Sequence, residues 1–234
     1  LAYIHDVGFR DYAIESAPGI LDILTRHNIC DGLVVDLGCG GGLSAQALSR
    51  AGYRVFGVDI SPSAIAIART RVPEATFQVS SLFDVEIPPC RAVISVGECL
   101  NYLFDLNNNQ QTLLTLFHQI YRALTPGGVL MFDIAEPGQV MPETSVKGFT
   151  EGEDWVVLVE KEENRDRQTL TRRITTFRQV GEYYRRDDEI HHLQLYYATD
   201  IAELLSSVGF QVTQMRSYGC YELPKAHSAF VGCK

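Results

Sequence analysis

The hydrophobic positions follow two different patterns along the chain, and the first extends to about residue 135. Short apolar runs alternate there with segments in which apolar residues recur every three or four positions. Uninterrupted apolar runs are typical of strands buried on both faces, and the second spacing is typical of amphipathic helices. This alternation predicts a parallel, doubly wound sheet with right-handed crossovers. The predicted strands are 33–37, 53–59, 75–79, 91–96 and 129–134, and the predicted helices are 18–27 (capped by Ser16), 43–50, one capped by Ser61, and 109–124, with a tight turn at 125–128.

The second pattern begins after Pro137, where the segments carry many charges and tyrosines. Turn residues stand near Asn164 and Gly181, between stretches that suit antiparallel strands. Such strands do not belong to a parallel core, so we expect a small inserted sheet that lies over one edge of it. The predicted inserted strands are 155–160, 169–178 and 189–197.

The last part of the chain returns to the first pattern. Residues 200–207 are predicted as a helix, because Asp200 and Glu203 have the spacing of a capping box. A strand is predicted from Phe210 to about Met215, and another at 227–233 closes the chain.

A glycine-rich turn joins the first predicted strand to the helix that follows it, in the stretch from Val34 to Gly42. Glycines occupy the first, third, fourth and fifth positions of the turn. The dinucleotide fingerprint requires glycine at the sixth position, which here is Leu43. An acid, Asp36, stands two residues before the first glycine. A carboxylate there would repel a pyrophosphate and would attract a ligand that carries an ammonium and a sulfonium group.

Composition narrows the classes of function. The chain has 234 residues, 46% of them hydrophobic, so one domain with an insertion is expected. The net charge of −9 argues against binding to nucleic acid or to an anionic membrane surface. No apolar run reaches the roughly 18 residues that span a bilayer. The six cysteines form no C-x-x-C pair and the histidines have no metal-ligand spacing, so we predict a cytoplasmic protein with reduced thiols and no metal.

Further motifs follow the glycine turn in a fixed order. Asp59 ends the second predicted strand, Ser81 follows the third, and the sequence Gly97-Glu98-Cys99-Leu100-Asn101-Tyr102 follows the fourth. With this order and spacing the chain resembles the class I S-adenosylmethionine-dependent methyltransferases, and in its insertion a bacterial small-molecule type. The resemblance implies an α/β fold with a doubly wound, mostly parallel seven-stranded Rossmann-like sheet, an antiparallel last strand and a small inserted antiparallel sheet. It also implies a single methyltransferase domain over residues 1–234, with a lid and helix at 1–30 and an inserted cap at 137–197.

The resemblance implies S-adenosylmethionine as the cofactor and a role for each motif. Asp36 would attract the ammonium group, Asp59 would accept from the ribose hydroxyls, and Ile60 and Leu82 would enclose the adenine. Ser81 stands where related proteins often have Asp. The implied cofactor-binding residues are Asp36, Gly38, Cys39, Gly40, Gly42, Asp59, Ile60, Ser81, Leu82, Gly97 and Glu98.

The acceptor side is expected opposite the Gly97–Tyr102 segment. Tyr12, as part of a lid, and Asn101 and Tyr102 are the predicted substrate residues, and the insertion is the predicted wall of the acceptor site. An oxygen acceptor needs a base to remove its proton, whereas a neutral nitrogen does not. The candidate bases are His191, expected to be buried, His192, expected to face solvent, Glu98 and Tyr12.

Methyl transfer to a nitrogen or oxygen of a small molecule, mainly by positioning, is the first hypothesis. A cofactor-binding regulatory protein without catalysis and an NAD(P)-dependent oxidoreductase are the alternatives. Leu43 and Asp36 argue against the oxidoreductase. Partners are predicted to be a small-molecule acceptor, with no nucleic acid and no membrane, and both a monomer and a homodimer remain open.

Overall fold

The fold is taken from a computed structural model that describes residues 2–104, 108–141 and 144–234. Residue 1 and residues 142–143, which belong to the predicted lid and the predicted cap, lie outside the described residues. The helices are α1 Ala2–Gly8, α2 Asp11–Arg26, α3 Leu43–Arg50, α4 Pro62–Arg71, α5 Gln110–Ala123 and α6 Ala198–Val208. The strands are β1 Leu33–Leu37, β2 Arg54–Asp59, β3 Thr76–Val79, β4 Cys90–Ser95, β5 Leu124–Ala135, β6 Ser145–Glu151, β7 Trp155–Asn164, β8 Thr169–Val180, β9 Tyr183–Gln194, β10 Gln211–Met215, β11 Ser217–Tyr218, β12 Tyr221–Glu222 and β13 His227–Cys233.

Seven strands form the main sheet in the order β10-β13-β5-β4-β1-β2-β3. All neighbours from β5 to β3 pair in parallel, and β13 is antiparallel to both β5 and β10. This confirms the predicted fold class, including the antiparallel last strand. The strand order reverses between β1 and β4, so the carboxyl ends of these two strands flank a topological switch point, which is where open α/β sheets bind ligands.

Helices cover both faces of the main sheet because successive residues of each strand point to opposite sides. Val34 packs with Leu24, Leu48 and Ile65 in the layer of α2, α3 and α4. Its neighbour Val35 packs in the opposite layer, with residues of α5 and α6 such as Leu113, Phe117, Ile201 and Leu205. The strands therefore lie between two apolar layers, and their carboxyl ends are left as the accessible edge.

The helix predicted at residues 18–27 corresponds to α2, and its predicted start is wrong. Helix α2 begins at Asp11 and carries Pro18 in its interior, and Ser16 lies inside it rather than at its cap. Proline removes one helical hydrogen bond, and here tertiary packing outweighs that local cost. Gly19 is in direct contact with the β11–β12 hairpin, since a Cβ at Gly19 would lie 2.2 Å from the Tyr218 carbonyl carbon. That hairpin has strands of two residues each, too short to be predicted.

The predicted turn at residues 125–128 lies within β5 instead of before it. Leu124 pairs with Cys90 and Val129 pairs with Ala92, so the register shifts and the intervening residues bulge out of the ladder. Gly127 has a φ of 75°, which suits the bulge. The strand therefore resumes after the bulge and continues into the carboxyl edge.

The predicted capping box of α6 is also wrong. The helix begins at Ala198, so Asp200 lies inside its first turn, and its N-cap residue Tyr197 makes no side-chain cap. The carboxylate of Glu136 replaces the cap, because the Ala198 N–H donates to Glu136 Oε2 at 3.2 Å. A distant acid at a helix start is not visible as a local sequence motif.

The insertion forms a separate antiparallel sheet in the order β6-β7-β8-β9. The predicted turns at Asn164 and Gly181 are confirmed. Strands β7 and β8 extend beyond their predicted ends, whereas β9 begins at Tyr183, before its predicted start, and ends at Gln194, before its predicted end. Strand β6 was not predicted, because all of its residues are exposed and it lacks a buried face. In the part of the chain that the structure describes, no helix is both long and apolar enough to cross a membrane.

Candidate functional site

The glycine turn lies at the carboxyl edge of β1, beside the switch point. Gly38, Gly40 and Gly42 have φ values of 79°, 51° and 80°, a backbone region that other residues adopt rarely. Gly38 also packs closely on the segment after β4, because a Cβ there would lie 2.5 Å from the Cys99 Sγ atom. The turn therefore presents bare backbone at the edge of the sheet.

Asp59, at the end of β2, fastens the glycine turn to the neighbouring strand. Its Oδ2 accepts from the Gly40 N–H at 2.9 Å, and its Oδ1 accepts from the Ser61 N–H at 2.8 Å. Each carboxylate oxygen can accept a further hydrogen bond. Ile60, the next residue, is 47% exposed and lies at the rim beside it. Asp59 and Ile60, both predicted to bind the cofactor, therefore lie at the carboxyl edge of the main sheet.

Asp36 is the buried acid of the edge. It is 2% exposed, and burial, followed by repulsion from Asp59, raises its pKa to about 7. Its Oδ2 atom is buried and has no hydrogen-bond partner among the described residues. An unpaired buried carboxylate oxygen is costly, so this atom is suited to a cationic group brought by a ligand.

The predicted adenine side lies after β3. The Oγ atom of Ser81 accepts from the Phe83 N–H at 3.2 Å, which shapes the turn there. Leu82 is half-buried and packs at the margin of the apolar layer that contains α5.

Asp133, on β5, is a site residue that the sequence reasoning missed. It is fully buried and accepts from the Gly97 N–H at 3.0 Å and from the Glu98 N–H at 2.5 Å. The Tyr218 hydroxyl donates to it at 3.2 Å. Burial raises the pKa of Asp133 to about 6, although the two backbone donors oppose the rise. A signal existed, since Asp133 is the one charge in the apolar run from Val129 to Ala135.

Glu98 is the centre of a buried charged network. Arg172 of β8 donates to both carboxylate oxygens, and His227 Nε2 and the Tyr102 hydroxyl lie 2.9 and 3.3 Å from them. Burial alone would raise the pKa of Glu98, but His227 and Arg172 outweigh it and hold the pKa at about 2. The bonds from Arg172 and His227 engage both oxygens of this carboxylate. They argue against the predicted base role of Glu98.

The inserted sheet packs against the segment that follows β4. Tyr102 forms an antiparallel bridge with Leu193, and the Leu103 N–H donates to the His192 carbonyl oxygen at 2.8 Å. The insertion therefore lies against the Gly97–Tyr102 segment, on which the acceptor site was predicted to border. Asn101 is fully buried, and its amide bonds to the backbone of Ala135 and Gln194. Asn101 therefore links the two sheets, and these bonds engage the amide that was predicted to contact the substrate.

The two adjacent histidines of β9 have the burial that was predicted. His191 is 8% exposed, its Nε2 lies 2.9 Å from Glu189 Oε2, and its ring stands edge-on to Tyr102 and Phe104. His192 is exposed on the opposite face of the sheet. The alternation of strand side chains points His192 away from Glu98, which rules it out as a base.

Helix α1 closes over the glycine turn. Asp6 forms a bidentate ion pair with Arg71 of α4, with N–O distances of 2.7 and 2.6 Å, and Arg71 also donates to the Gly41 carbonyl oxygen. On the other side of the helix, Ile4 packs with Trp155 and other residues of the inserted sheet. Helix α1 therefore bridges the glycine turn and the insertion.

Tyr12 lies in α2, below this bridge. Its ring stands edge-on to Tyr221 at 5.2 Å, and its buried hydroxyl is directed toward the Asp133 carboxylate. Burial and the nearby Asp133 carboxylate raise the pKa of Tyr12 well above its usual value. A phenol that stays neutral is a hydrogen-bond donor rather than a base, which argues against the predicted base role of Tyr12.

The described residues contain no group of three or more His, Cys, Asp or Glu side chains arranged to hold a metal ion. The polar groups at the edge are instead carboxylates on β1, β2 and β5 and backbone N–H groups of the glycine turn. They suit a ligand with cationic and hydroxyl groups.

The chain is similar to known methyltransferases. Residues 34–128 match the family model described as a methyltransferase domain. The protein named "Putative methyltransferase YqeM" of Bacillus subtilis (strain 168) is 26% identical over 208 residues, which are 84% of this chain and 81% of that protein. A S-adenosylmethionine-dependent methyltransferase from Clostridium acetobutylicum has a TM-score of 0.83 at 19% identity, over 99% of this chain and 96% of that one. The S-adenosylmethionine-bound CalS10, an amino pentose methyltransferase from Micromonospora echinaspora, has a TM-score of 0.76 at 15% identity, over 94% and 91% of the two chains.

Proposed function

We infer that this chain, a class I S-adenosylmethionine-dependent methyltransferase, transfers the methyl group to a nitrogen or oxygen atom of a small molecule. The observation that carries the proposal is the cover over the carboxyl edge of the sheet. Helix α1 closes one side through the Asp6–Arg71 pair, and β8 closes the other through the Arg172–Glu98 pair. A carboxyl edge covered from both sides suits a small acceptor, and the net charge of −9 disfavours a polyanionic one.

The cofactor is proposed to lie along the edge from β4 to β3. The unpaired Oδ2 of Asp36 supports a contact with the ammonium group, directly or through water. The free acceptor capacity of Asp59 supports contacts with the two ribose hydroxyls. Exposed Ile60 supports a contact with the adenine face. The proposed binding residues also include Gly38, Cys39, Gly40, Gly42, Ser81, Leu82, Gly97 and Glu98.

The protein's part in the reaction is proposed to be positioning and exclusion of water. S-adenosylmethionine supplies an activated methyl group, so an in-line approach of the acceptor is the main requirement. We propose that residues 1–30 act as a lid and that residues 137–197 act as a cap, both within one domain. The Tyr12 hydroxyl and the Tyr102 ring are proposed to face the acceptor, and His191 is a candidate base for an oxygen acceptor.

Thermal unfolding with and without ligand tests the choice of cofactor. S-adenosylmethionine and S-adenosylhomocysteine should raise the melting temperature, because a ligand that binds only the native state stabilises it by mass action. NAD and NADP at the same concentrations should leave the melting temperature unchanged. A rise with a nicotinamide dinucleotide alone would overturn the cofactor assignment. A rise with S-adenosylhomocysteine, followed by no methyl transfer from labelled cofactor to any amine, phenol or carboxylic acid in a panel, would overturn the proposed acceptor class.

The pH dependence of cofactor binding should report on Asp36. Its pKa of about 7 lies above the ordinary value, so the carboxyl is protonated at low pH, and the ionised form is the one that attracts an ammonium group. Affinity for S-adenosylhomocysteine should therefore rise from pH 6 to pH 8, and below about pH 7 it should approach about tenfold per pH unit. Asp36→Asn should flatten this dependence, as measured by calorimetry at each pH. Equal slopes in the two proteins would show that another group causes the pH dependence.

A further inference from the structure

Three basic side chains stand side by side on the inserted sheet. Lys161 of β7 pairs in register with Arg172 of β8, and Arg172 pairs with His191 of β9. Directly opposed residues of neighbouring strands project from the same face. Arg172 bonds to Glu98, so this face is turned toward the segment that follows β4. The row of basic side chains therefore extends from the network of Glu98 along the cap.

Lys161 forms no ion pair with any of the described residues, although the Glu98 carboxylate attracts it from a distance. It is half-buried, and no hydrogen bond or ion pair joins its ammonium group to any residue that the structure describes. The acids nearest to it along this face are already engaged. Glu98 is bound by Arg172 and His227, Glu163 accepts from the backbone N–H groups of Gly138 and Val140 at 2.9 Å each, and Glu189 is bound to His191.

A second donor in the same row is unsatisfied. The Nε–H of Arg172 is buried and has no acceptor among the described residues, although both terminal nitrogens of Arg172 donate to Glu98. Burial and the charge of Arg172 lower the pKa of Lys161, and Glu98 raises it less. A buried N–H without an acceptor and a half-buried ammonium without an anion are both unfavourable, and one bound anion would relieve both.

We propose that Lys161, with the free Nε–H of Arg172 beside it, binds an anionic group, a carboxylate or a phosphate, of the methyl acceptor. The inference rests on the proposed methyl transfer and adds the chemical class of the acceptor. The Lys161 ammonium group acts as a point charge that attracts a carboxylate or a phosphate, and the Arg172 guanidinium restricts the orientation of the bound anion. Arg172 is bonded to Glu98, and Gly97, which precedes Glu98, is proposed to line the methionine side of the cofactor. An anionic group bound at Lys161 and Arg172 would therefore direct the rest of the acceptor toward the methyl group.

Lys147 is a lysine of the same inserted sheet that differs from Lys161 in exposure and in ion pairing. It lies on the opposite face, its side chain is 73% exposed, and it pairs with Glu160 at 3.2 Å. Its charge is hydrated and neutralised. Lys147→Gln is therefore the matched control for Lys161→Gln, because both substitutions remove one positive charge from the inserted sheet.

Amine acylation tests the site without any knowledge of the acceptor. The protein is saturated with S-adenosylhomocysteine and treated briefly with acetic anhydride, with and without inorganic phosphate or malonate at constant ionic strength, and labelling is mapped by mass spectrometry. Phosphate or malonate at about ten times its dissociation constant should lower the labelling of Lys161 roughly tenfold and leave Lys147 unchanged. The anion that protects Lys161 identifies the group as a phosphate or a carboxylate. No protection by either anion, or equal protection of both lysines, would overturn the inference.

Kinetics then test the role in acceptor binding. For an acceptor found in the panel, its carboxylate or phosphate form is compared with the neutral amide or dephosphorylated form. Lys161→Gln should raise KM for the anionic form roughly tenfold to a hundredfold and leave KM for the neutral form unchanged. Lys147→Gln should change neither value. Equal KM values of wild type and Lys161→Gln for the anionic form would overturn the inference. A separate measurement of S-adenosylhomocysteine binding to the wild-type protein distinguishes the two possible failures. If the wild-type protein does not bind S-adenosylhomocysteine, the proposed function itself is refuted, and not only the anion site.

Discussion

Replacing Asp59 with Ala is expected to weaken the binding of S-adenosylhomocysteine by roughly tenfold to a few hundredfold. Hydrogen bonds to a charged group contribute about 1.5–3 kcal/mol each, and 1.4 kcal/mol corresponds to about a tenfold change in affinity. The substitution also frees the N–H groups of Gly40 and Ser61, so the glycine turn loses its link to β2. Calorimetric titration of both proteins measures the change.

The control for this experiment is Glu74→Ala. Glu74 is an exposed acid that accepts from the Ser49 hydroxyl at 2.6 Å, away from the carboxyl edge. Its removal changes the net charge by the same amount and should leave cofactor affinity unchanged. The fold of Asp59→Ala should survive, because Asp59 ends a strand and is only half-buried. An unchanged dissociation constant of Asp59→Ala would place the ribose elsewhere.

The residues along the carboxyl edge could be predicted from the sequence because each follows a strand with a clear pattern. Strands β1 and β13 and helix α3 have the predicted bounds. Apolar runs and glycines mark these bounds locally, and a parallel sheet then brings successive strand ends to one edge. This rule alone predicts that Asp36 and Asp59 lie at the same edge of the sheet.

The partners of the buried charges could not be predicted in this way. Glu98 and Arg172 are 74 residues apart, and Asp133 is 36 residues from the Gly97 N–H that donates to it. Such contacts depend on how the insertion packs on the main sheet, and no local pattern encodes that packing. For this reason a carboxylate that is fully engaged in the structure resembled a free base in the sequence.

The helix α2 shows the same limit for local structure. Pro18 marks a helix start by its local preference, yet Asp11–Arg26 forms one helix around it. Ala17 and Ile20 are buried on its inner face, and Gly19 allows Tyr218 to approach closely. Tertiary contacts of this kind outweigh the propensity of one residue, and they become visible only when the whole chain is folded.

Among the proposed substitutions, Arg172→Met is expected to lower the free energy of unfolding most, by about 3–5 kcal/mol at pH 7. Glu98 is 8% exposed, and it would lose the guanidinium that donates to both of its oxygens. His227 and Tyr102 would remain as its partners, in a site that is largely buried. The methionine side chain keeps most of the buried volume, so the loss reports on charge. Urea denaturation gives the free energy of unfolding.

Two further variants show that the loss comes from the buried pair. Arg173→Met removes the neighbouring arginine, which lies on the outer face and approaches Glu162 only at 3.8 Å, so its effect should stay within about 0.5 kcal/mol. The double variant Arg172→Met with Glu98→Gln removes both charges. It should be more stable than Arg172→Met alone, because an unpaired buried charge costs more than a buried neutral amide.

The pH dependence gives the same pair an independent signature. The pKa of Glu98 is held at about 2, below its ordinary value of 4.5, so the carboxylate stabilises the native state above about pH 4.5 and loses that contribution as the pH falls toward 2. Without Arg172 the pKa is no longer lowered as far, so the stability gap between wild type and Arg172→Met should narrow from pH 7 to pH 3. A gap below about 1 kcal/mol at pH 7, or one that stays constant down to pH 3, would mean that this ion pair does not hold the inserted sheet on the core.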